Sequence, residues 1–399
     1  MIRVNGTELK ELKYGNVDIE KVICNGVVVF EKKNVITMRT LKTNIRLMVH
    51  TKDIKSCEVW NDGVKIAELP YATTVSIDVP NNNVDIIIKG DDITYLNCNN
   101  NNLTSLDVKS ATSLEGLYCD NNNLTSLDVK GLTKLRVLRC NNNNLTSLDV
   151  KSATSLEGLN CDNNKLTSLD VKGLTNLWDF SCNNNNLTSL DVKSATSLWR
   201  LYCNNNNLTS LDVKGLTNLR DFSCNNNNLT SLDVKSATSL EGLWCDNNKL
   251  TSLDVKGLTN LRILYCNNNK LTSLDVKGLT NLRILYCNNN NLTSLDVKSA
   301  TNLRILYCNN NKLTSLNVQG ATSLEGLNCD NNNLSSEVFK QLFIDLPSRN
   351  RGIAVLYGDN DGNYKDFSQP PELAQAFADA KKKGWMFYKR NDYSSIVLI

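Results

Sequence analysis

The stretch LTSLDVKGLTNLRILYCNNNK, residues 271–291, decides the fold, because close copies of it follow one another every 21 residues along most of the chain. We call each copy a rung. Apolar residues return at the same places in every rung, and one rung alone is too small to enclose them, so the rungs are expected to stack around a shared core. The core positions predicted for one such stretch are Leu292, Leu295, Val297, Leu303, Leu306 and Cys308.

The spacing L-x-x-L-x-C-x-x-N-x-L, carried by Leu282, Leu285, Cys287, Asn290 and Leu292, resembles the leucine-rich-repeat family. About twelve rungs match in phase over residues 94–334. The resemblance implies a solenoid with a parallel β-sheet on its concave face and a ladder of stacked asparagines. Because 21 residues leave no room for a full helix, extended or 3₁₀ structure is expected on the convex side. The fold class is therefore α/β to mostly β.

The segments before the repeat are predicted to be β-rich. Residues 1–33 form a small β anchoring unit, in which Asn25-Gly26 lies between two strand-like runs and predicts a hairpin. Residues 34–93 contain a second hairpin signal at Asp62-Gly63 and further strand-like runs. Since the first rung of a solenoid needs a cover, residues 34–93 are expected to be its N-terminal cap.

After the repeat, residues 335–399 predict an α/β C-terminal cap. A helix is expected after Ser335 or Ser336, then the strand IAVLYG, a second helix in PELAQAFADAKKKGW and the strand MFYKR. The GDNDGNY stretch between them lacks the glycine position and the terminal Glu of an EF-hand loop, so it predicts a capped turn.

Charge and composition exclude several classes of function. Lys and Arg total 44 against 41 Asp and Glu, a net charge of +3 that gives no reason to expect nucleic-acid binding. No apolar run is long enough for membrane insertion, and the N-terminus lacks the pattern of a signal peptide. His50 is the only histidine, and neither a phosphate loop nor a nucleophile motif is present. We expect no enzymatic activity and no cofactor.

Twelve of the fourteen cysteines recur every 21 residues, from Cys98 to Cys329. A tetrahedral metal site needs ligands that converge on one point, whereas these cysteines would lie along a line. They are therefore expected to be small buried apolar residues, with no metal bound. Thiols so close together favour folding in a reducing compartment.

An Asp-x-Lys pair also recurs, from Asp107 and Lys109 to Asp296 and Lys298, and the last rung replaces both residues at once. Joint replacement predicts that the two side chains are partners in an exposed, stacked charge network.

The rungs differ most at the residue between the last core Leu and the Cys, which the resemblance places on the concave face. There Trp244, Tyr265, Tyr286 and Tyr307 would form a contiguous aromatic strip, with Tyr202 nearby. Exposed aromatic residues in a row predict contact with a sugar face or a partner protein.

Three successive rungs share NLRILYC, which stacks Arg262, Arg283 and Arg304. Like charges one strand apart repel, so this strip is expected to favour the binding of an anionic group. The alternative is that a rung was copied without selection for binding, with Glu241 and Glu325 as flanking partners.

The first 33 residues suggest a function. Their pattern I-x-K-V-x-x-N-G-x-x-V-F-E resembles short β segments that open phage tail and head accessory proteins. The resemblance implies a virion structural protein, such as a fibre or a decoration protein, assembled in the host cytoplasm. Residues 1–33 would bind other virion proteins, and the concave face would bind a host-surface glycan or protein.

Two alternatives stay open. The repeats are similar to those of internalins, which implies an adhesin on the bacterial cell surface, although a signal peptide and a C-terminal anchor are missing from the pattern. The other alternative is a cytoplasmic scaffold that binds proteins.

Overall fold

The computed structural model describes residues 34–391 and 396–399 in full, and within residues 1–33 it describes the backbone of six short strands. These strands are β1 (Arg3–Val4), β2 (Thr7–Glu8), β3 (Lys13–Tyr14), β4 (Val17–Asp18), β5 (Lys21–Cys24) and β6 (Val27–Glu31). They pair antiparallel as β1 with β2, β3 with β4 and β5 with β6. The strands β5 and β6 are those predicted on either side of Asn25-Gly26. The side chains of residues 1–33, on which the predicted docking role depends, lie outside the described residues.

The chain forms two compact units, residues 1–169 and 170–399. Beyond residue 33, the strands of the first unit are β7 (Asn34–Thr40), β8 (Asn44–Thr51), β9 (Cys57–Asn61), β10 (Val64–Leu69), β11 (Val75–Asp78), β12 (Ile86–Gly90), β13 (Ile93–Asn97), β14 (Leu103–Asp107), β15 (Gly116–Tyr118), β16 (Val137–Arg139) and β17 (Gly158–Asn160). Strands β13, β15, β16 and β17 pair in parallel, one from each rung.

The first unit begins with the cap that the sequence predicts. Strand β8 pairs antiparallel with β13, and β7 pairs antiparallel with β14, so both sides of the first rung are covered by cap strands. The hairpin of β9 and β10 turns at Asp62 and Gly63, whose φ angles of 51° and 73° are those of the predicted tight turn.

The second unit carries eight rung strands and the C-terminal elements. They are β18 (Asp179–Ser181), β19 (Arg200–Tyr202), β20 (Asp221–Ser223), β21 (Gly242–Trp244), β22 (Ile263–Tyr265), β23 (Ile284–Tyr286), β24 (Ser294–Asp296), β25 (Ile305–Tyr307), β26 (Ser315–Asn317), β27 (Gly326–Asn328), α1 (Ser336–Asp345), β28 (Gly352–Gly358), α2 (Pro371–Lys382), β29 (Trp385–Arg390) and β30 (Ile396–Leu398). Strands β24 and β26 pair on the opposite side of the rungs, where extended structure was predicted.

The C-terminal elements extend the same sheet. Strand β28 pairs in parallel with β27 and then with β29, while α1 and α2 pack against each other. The Ser335 hydroxyl caps the helix α1 by accepting a hydrogen bond from Val338 N at 3.4 Å. Ser335 is one of the two residues predicted for this cap. Neither α1 nor α2, the helices of the described residues, is long and apolar enough to cross a membrane.

The predicted core positions are confirmed, since Leu292, Leu295, Val297, Leu303, Leu306 and Cys308 are all at most 2% exposed. The ladder cysteines of the described residues are buried and carry free thiols. Burial disfavours the thiolate and raises the pKa of these thiols, for Cys140 and Cys203 to about 12. The cysteines therefore behave as the small apolar residues that the sequence predicted.

The asparagine ladder is also confirmed, and it binds each rung to the one before it. The Asn290 amide donates to Cys266 O at 3.0 Å and to Cys287 O at 3.1 Å, and its oxygen accepts from Leu271 N at 3.0 Å. The preceding residue, Asn289, has a φ of 55°, a left-handed conformation that asparagine tolerates well. Two distinct requirements thus explain the asparagine clusters of the sequence.

In each unit a cap provides a partner for the end of this ladder. In the first unit, Asn101 donates to Arg46 O at 2.7 Å and accepts from Arg46 N at 2.9 Å. In the second, Asn363 accepts from Leu334 N at 2.8 Å and donates to Cys329 O at 2.9 Å, as a ladder asparagine does. Asp361 accepts from three backbone N–H groups beside it, which confirms the capped turn predicted for GDNDGNY.

The recurrent Asp and Lys are partners, as predicted. Lys193 and Lys235 form ion pairs of 3.1 Å with Asp212 and Asp254 of the following rungs. Within each rung the Asp also accepts from the backbone N–H of its Lys, and Asn317 keeps this turn bond to Gln319 N at 3.0 Å.

Rungs of two kinds alternate through most of the chain, one with glycine and one with serine after the recurrent lysine. The glycine N–H donates to the serine hydroxyl of the following rung, at 2.9 Å from Gly215 to Ser236 and at 3.0 Å from Gly278 to Ser299. The glycine φ angles of 88° and 84° are strained for a residue with a side chain.

Candidate binding surface

The first and third residues of each short strand lie on the outer face of the rung sheet. In β22 the central Leu264 is fully buried, whereas Ile263 and Tyr265 are half-buried, because successive side chains of a strand point to opposite faces. The variable position of the rungs thus lies on the outer face of the sheet.

The structure brings Trp244, Tyr265, Tyr286 and Tyr307 together as one aromatic strip. The Tyr265 and Tyr286 rings stack at 4.4 Å and 11°, the Tyr286 and Tyr307 rings at 4.6 Å and 4°, and Trp244 meets Tyr265 edge-on at 6.3 Å. Tyr202 is not part of this contact, because Ser223 occupies the rung between it and Trp244.

The packing of the strip decides which parts of the rings a ligand can reach. The tyrosine rings cover each other's faces, so their edges and hydroxyls point outward, and Tyr307 is 38% exposed. Burial and the neighbouring phenols raise the pKa of Tyr286, so its hydroxyl stays protonated into basic solution. Trp244 lies over Gly242, where a Cβ atom would come within 2.6 Å of the indole.

The arginine column beside the strip is only partly neutralised. Arg262 pairs with Glu241 at 3.0 Å, and Arg304 pairs with Glu325 at 2.8 Å, an interaction that raises the pKa of Arg304. Among the described residues, Arg283 has no carboxylate within 4.0 Å. The prediction that Glu241 and Glu325 flank the arginines is therefore confirmed. The positive charge without a carboxylate partner, among the described residues, is that of Arg283.

We expect Arg283→Glu to raise the Tm by about 1–2 °C, because it replaces repulsion from Arg262 and Arg304 by two exposed ion pairs, each of small effect. Thermal unfolding followed by circular dichroism at low and high salt measures the change. Arg283→Gln is the control, since it removes the charge without adding a pair. A Tm for Arg283→Glu below that of Arg283→Gln would contradict the expectation.

The first unit contains a second aromatic cluster that the sequence did not reveal. The His50 ring lies 5.0 Å from Tyr71 and 4.5 Å from Tyr95, and Tyr95 lies 4.9 Å from Tyr118. Tyr95 faces Gly116 in the sheet register rather than Tyr118, so it falls outside the variable column of the repeat. The signal that could have revealed it is the glycine opposite, which leaves space for the ring.

Candidate metal ligands do not converge in either unit: among residues 34–391 and 396–399 no three His, Cys, Asp or Glu side chains form a group that could hold an ion. The chemistry that the described surface offers is contact through aromatic rings, hydroxyls and charged side chains.

Comparisons with known proteins agree with this architecture. A family model described as Leucine Rich repeats (2 copies) matches residues 112–152, 238–279 and 280–321. No curated protein sequence matches the chain.

Three solved structures illustrate the similarity. The functional domain of InlJ from Listeria monocytogenes, which includes a cysteine ladder, is 28% identical with a TM-score of 0.59, over 80% of this chain and 76% of that chain. A leucine-rich-repeat protein from Leptospira interrogans is 25% identical with a TM-score of 0.54, over 72% and 82%. YopM from Yersinia enterocolitica is 27% identical with a TM-score of 0.56, over 66% and 56%. The chain folds as a leucine-rich-repeat solenoid, similar to those of internalins and YopM.

Proposed function

We propose that the protein is a non-enzymatic binding protein that engages a protein partner through the outer sheet face of residues 242–307. The observation that carries the proposal is the stack of Tyr265, Tyr286 and Tyr307, which presents ring edges and hydroxyls in a row beside exposed arginines. Tyrosine and arginine are the residue types that protein interfaces favour, since each combines apolar area with a polar group.

A protein partner fits this strip better than a glycan does. A sugar ring packs on a free aromatic face, whereas the inner faces of the tyrosine stack are occupied by neighbouring rings at 4.4 Å and 4.6 Å. The half-buried Ile263, Ile284 and Ile305 run beside the tyrosines and add apolar area. A row of apolar and hydroxyl groups suits an extended or helical protein segment.

The absence of catalysis is part of the proposal. His50 is the only histidine of the sequence, and its ring packs between those of Tyr71 and Tyr95 as part of the aromatic cluster. The similarity to internalins and YopM supports a binding role as well.

We further propose that this binding protein is an adhesin similar to internalins. The similarity to InlJ supports this more specific proposal. The virion role stays a prediction from the sequence pattern of residues 1–33, whose side chains lie outside the described residues. Its expected partners are other virion proteins and a host-surface molecule, and detection of the protein in purified virions by antibody would test it.

We expect the triple variant Tyr265→Ser/Tyr286→Ser/Tyr307→Ser to lose binding to a protein partner at least about a hundredfold, because it removes three contiguous interface rings. Serine occupies the same sheet position at Ser181 and Ser223, so the variant should fold. Labelled protein is applied to an array of bacterial and host-cell surface proteins and, in parallel, to a glycan array.

A matched control changes three exposed threonines on the opposite side of the same rungs, Thr251→Ser/Thr272→Ser/Thr293→Ser, and should bind as the unchanged protein does. Two results would count against the proposal: a glycan as the ligand that the triple tyrosine variant loses, or no protein whose binding depends on these tyrosines.

A further inference from the structure

We infer that the first unit carries a second binding strip, formed by Tyr71, His50, Tyr95 and Tyr118, and that this strip receives a basic side chain of a protein partner. The four rings follow one another at centroid distances of 5.0, 4.5 and 4.9 Å across neighbouring strands. Both the cap and the first rungs contribute, so the strip exists only where the cap meets the repeat.

A groove runs along this strip. It has a volume of about 320 Å³, and its floor includes Gly116, where a Cβ atom would lie only 2.8 Å from the Tyr95 ring. Tyr95 and Tyr118 are tilted by 41° to each other, unlike the nearly parallel tyrosines of the second unit, so part of their ring faces stays uncovered. The groove is thus a site into which one side chain can insert.

The charge beside the groove is negative. Arg136 binds Glu157 with two hydrogen bonds of 2.9 and 3.0 Å, which neutralises that pair. Glu115 is exposed and, within residues 34–391 and 396–399, has no Lys, Arg or His nitrogen within 4.0 Å. The groove lining therefore holds two carboxylates, Glu115 and Glu157, against one guanidinium, Arg136, so a net negative charge lies at the wall beside the aromatic rings.

A carboxylate beside aromatic rings favours a cation, since ring faces attract positive charge and the carboxylate pairs with it. The strip already shows this preference, because the Arg139 guanidinium lies 5.3 Å from the Tyr118 ring centre. The sign is opposite to that of the second unit, where Arg283 is the charge left over. A lysine or arginine of a partner fits the first strip, and this conclusion does not depend on the proposed function of the second.

Random peptides displayed on a carrier, panned on the full-length chain, test the inference. The bait is the Tyr265→Ser/Tyr286→Ser/Tyr307→Ser variant, so that the second strip cannot contribute. We expect enriched peptides to contain Lys or Arg, and a synthetic peptide from this set to lose about tenfold in affinity on Glu115→Gln and more on Tyr118→Asn. Asparagine occupies the same sheet position at Asn160, so Tyr118→Asn should fold.

Glu325→Gln, which removes a carboxylate from the second unit, is the matched control and should leave the affinity unchanged. Circular dichroism verifies that every variant is folded. The inference is overturned if enriched peptides lack basic residues, if Glu115→Gln or Tyr118→Asn leaves the affinity unchanged, or if no peptide is enriched.

Discussion

Raising the pH from 8 to 10 is expected to unfold the second unit, residues 170–399, because its buried thiols cannot release their protons inside the core. Burial is the main cause that raises the pKa of these thiols above the ordinary 9.0, and for Cys203 the pKa reaches about 12. The thiols with raised pKa in this unit include seven of the ladder: Cys203, Cys224, Cys245, Cys266, Cys287, Cys308 and Cys329.

The sign follows from proton binding. A group whose pKa is higher in the folded state holds its proton there after the unfolded chain has released its own, so the free energy of unfolding falls as the pH rises above 9. Each thiol contributes a loss of about 1.4 kcal/mol per pH unit. Seven thiols together lose about 10 kcal/mol at pH 10, which is comparable with the whole stability of an ordinary domain.

Urea unfolding in the presence of a reductant, followed by far-UV circular dichroism between pH 7.5 and 10, measures this dependence. Cys287→Val keeps an apolar side chain and removes one thiol, so the loss between pH 9 and 10 should shrink by about 1 kcal/mol. A combined Cys266→Val/Cys287→Val/Cys308→Val variant should reduce the loss by about three times as much. An unchanged pH slope in the combined variant would show that the cysteine ladder is not its source.

The second large effect is expected from Asn290→Ala, which should lower the free energy of unfolding by about 3–5 kcal/mol. The substitution leaves Leu271 N, Cys266 O and Cys287 O inside the protein without their hydrogen-bond partner. Each unsatisfied buried group costs about 1–3 kcal/mol, and some of this cost is relieved by relaxation or by a water molecule.

The neighbouring Asn291 supplies the control. Lysine stands at its place in other rungs, as at Lys270 and Lys312, so Asn291→Ala should change the stability by less than about 0.5 kcal/mol. Urea unfolding at pH 7 compares the two variants. Equal stability of Asn290→Ala and Asn291→Ala would mean that the ladder amide does not hold the rungs together.

The repeat explains why so much of the fold was predictable. Leu285, Cys287 and Asn290 recur with a fixed spacing, so one correct assignment fixes the core, the sheet and the ladder in every rung. The outward position of Tyr265 and Tyr286 follows from the same alternation. The caps were predictable because turn and helix-cap residues, such as Gly63 and Ser335, have local causes.

The details of the two surfaces depend on side-chain direction, which a repeat pattern does not contain. The repeat predicts the stack of three arginines and its flanking glutamates, but only the structure shows that Arg262 and Arg304 each reach a glutamate while Arg283, among the described residues, has no carboxylate partner. His50 meets Tyr95 only because cap and repeat strands pair. No local pattern predicts a contact between residues so distant in sequence.

The bond from a glycine N–H to the serine of the following rung has a consequence for how such proteins change in length. Insertion of a glycine rung together with a serine rung preserves every bond of this kind. Insertion of a single rung breaks the alternation. The alternation is broken in this way where Gly257 and Gly278 stand in successive rungs. Natural variants should therefore differ mostly by whole pairs of rungs. Evolution would then adjust the span of the binding sheet in steps of about 10 Å, twice the distance between strands.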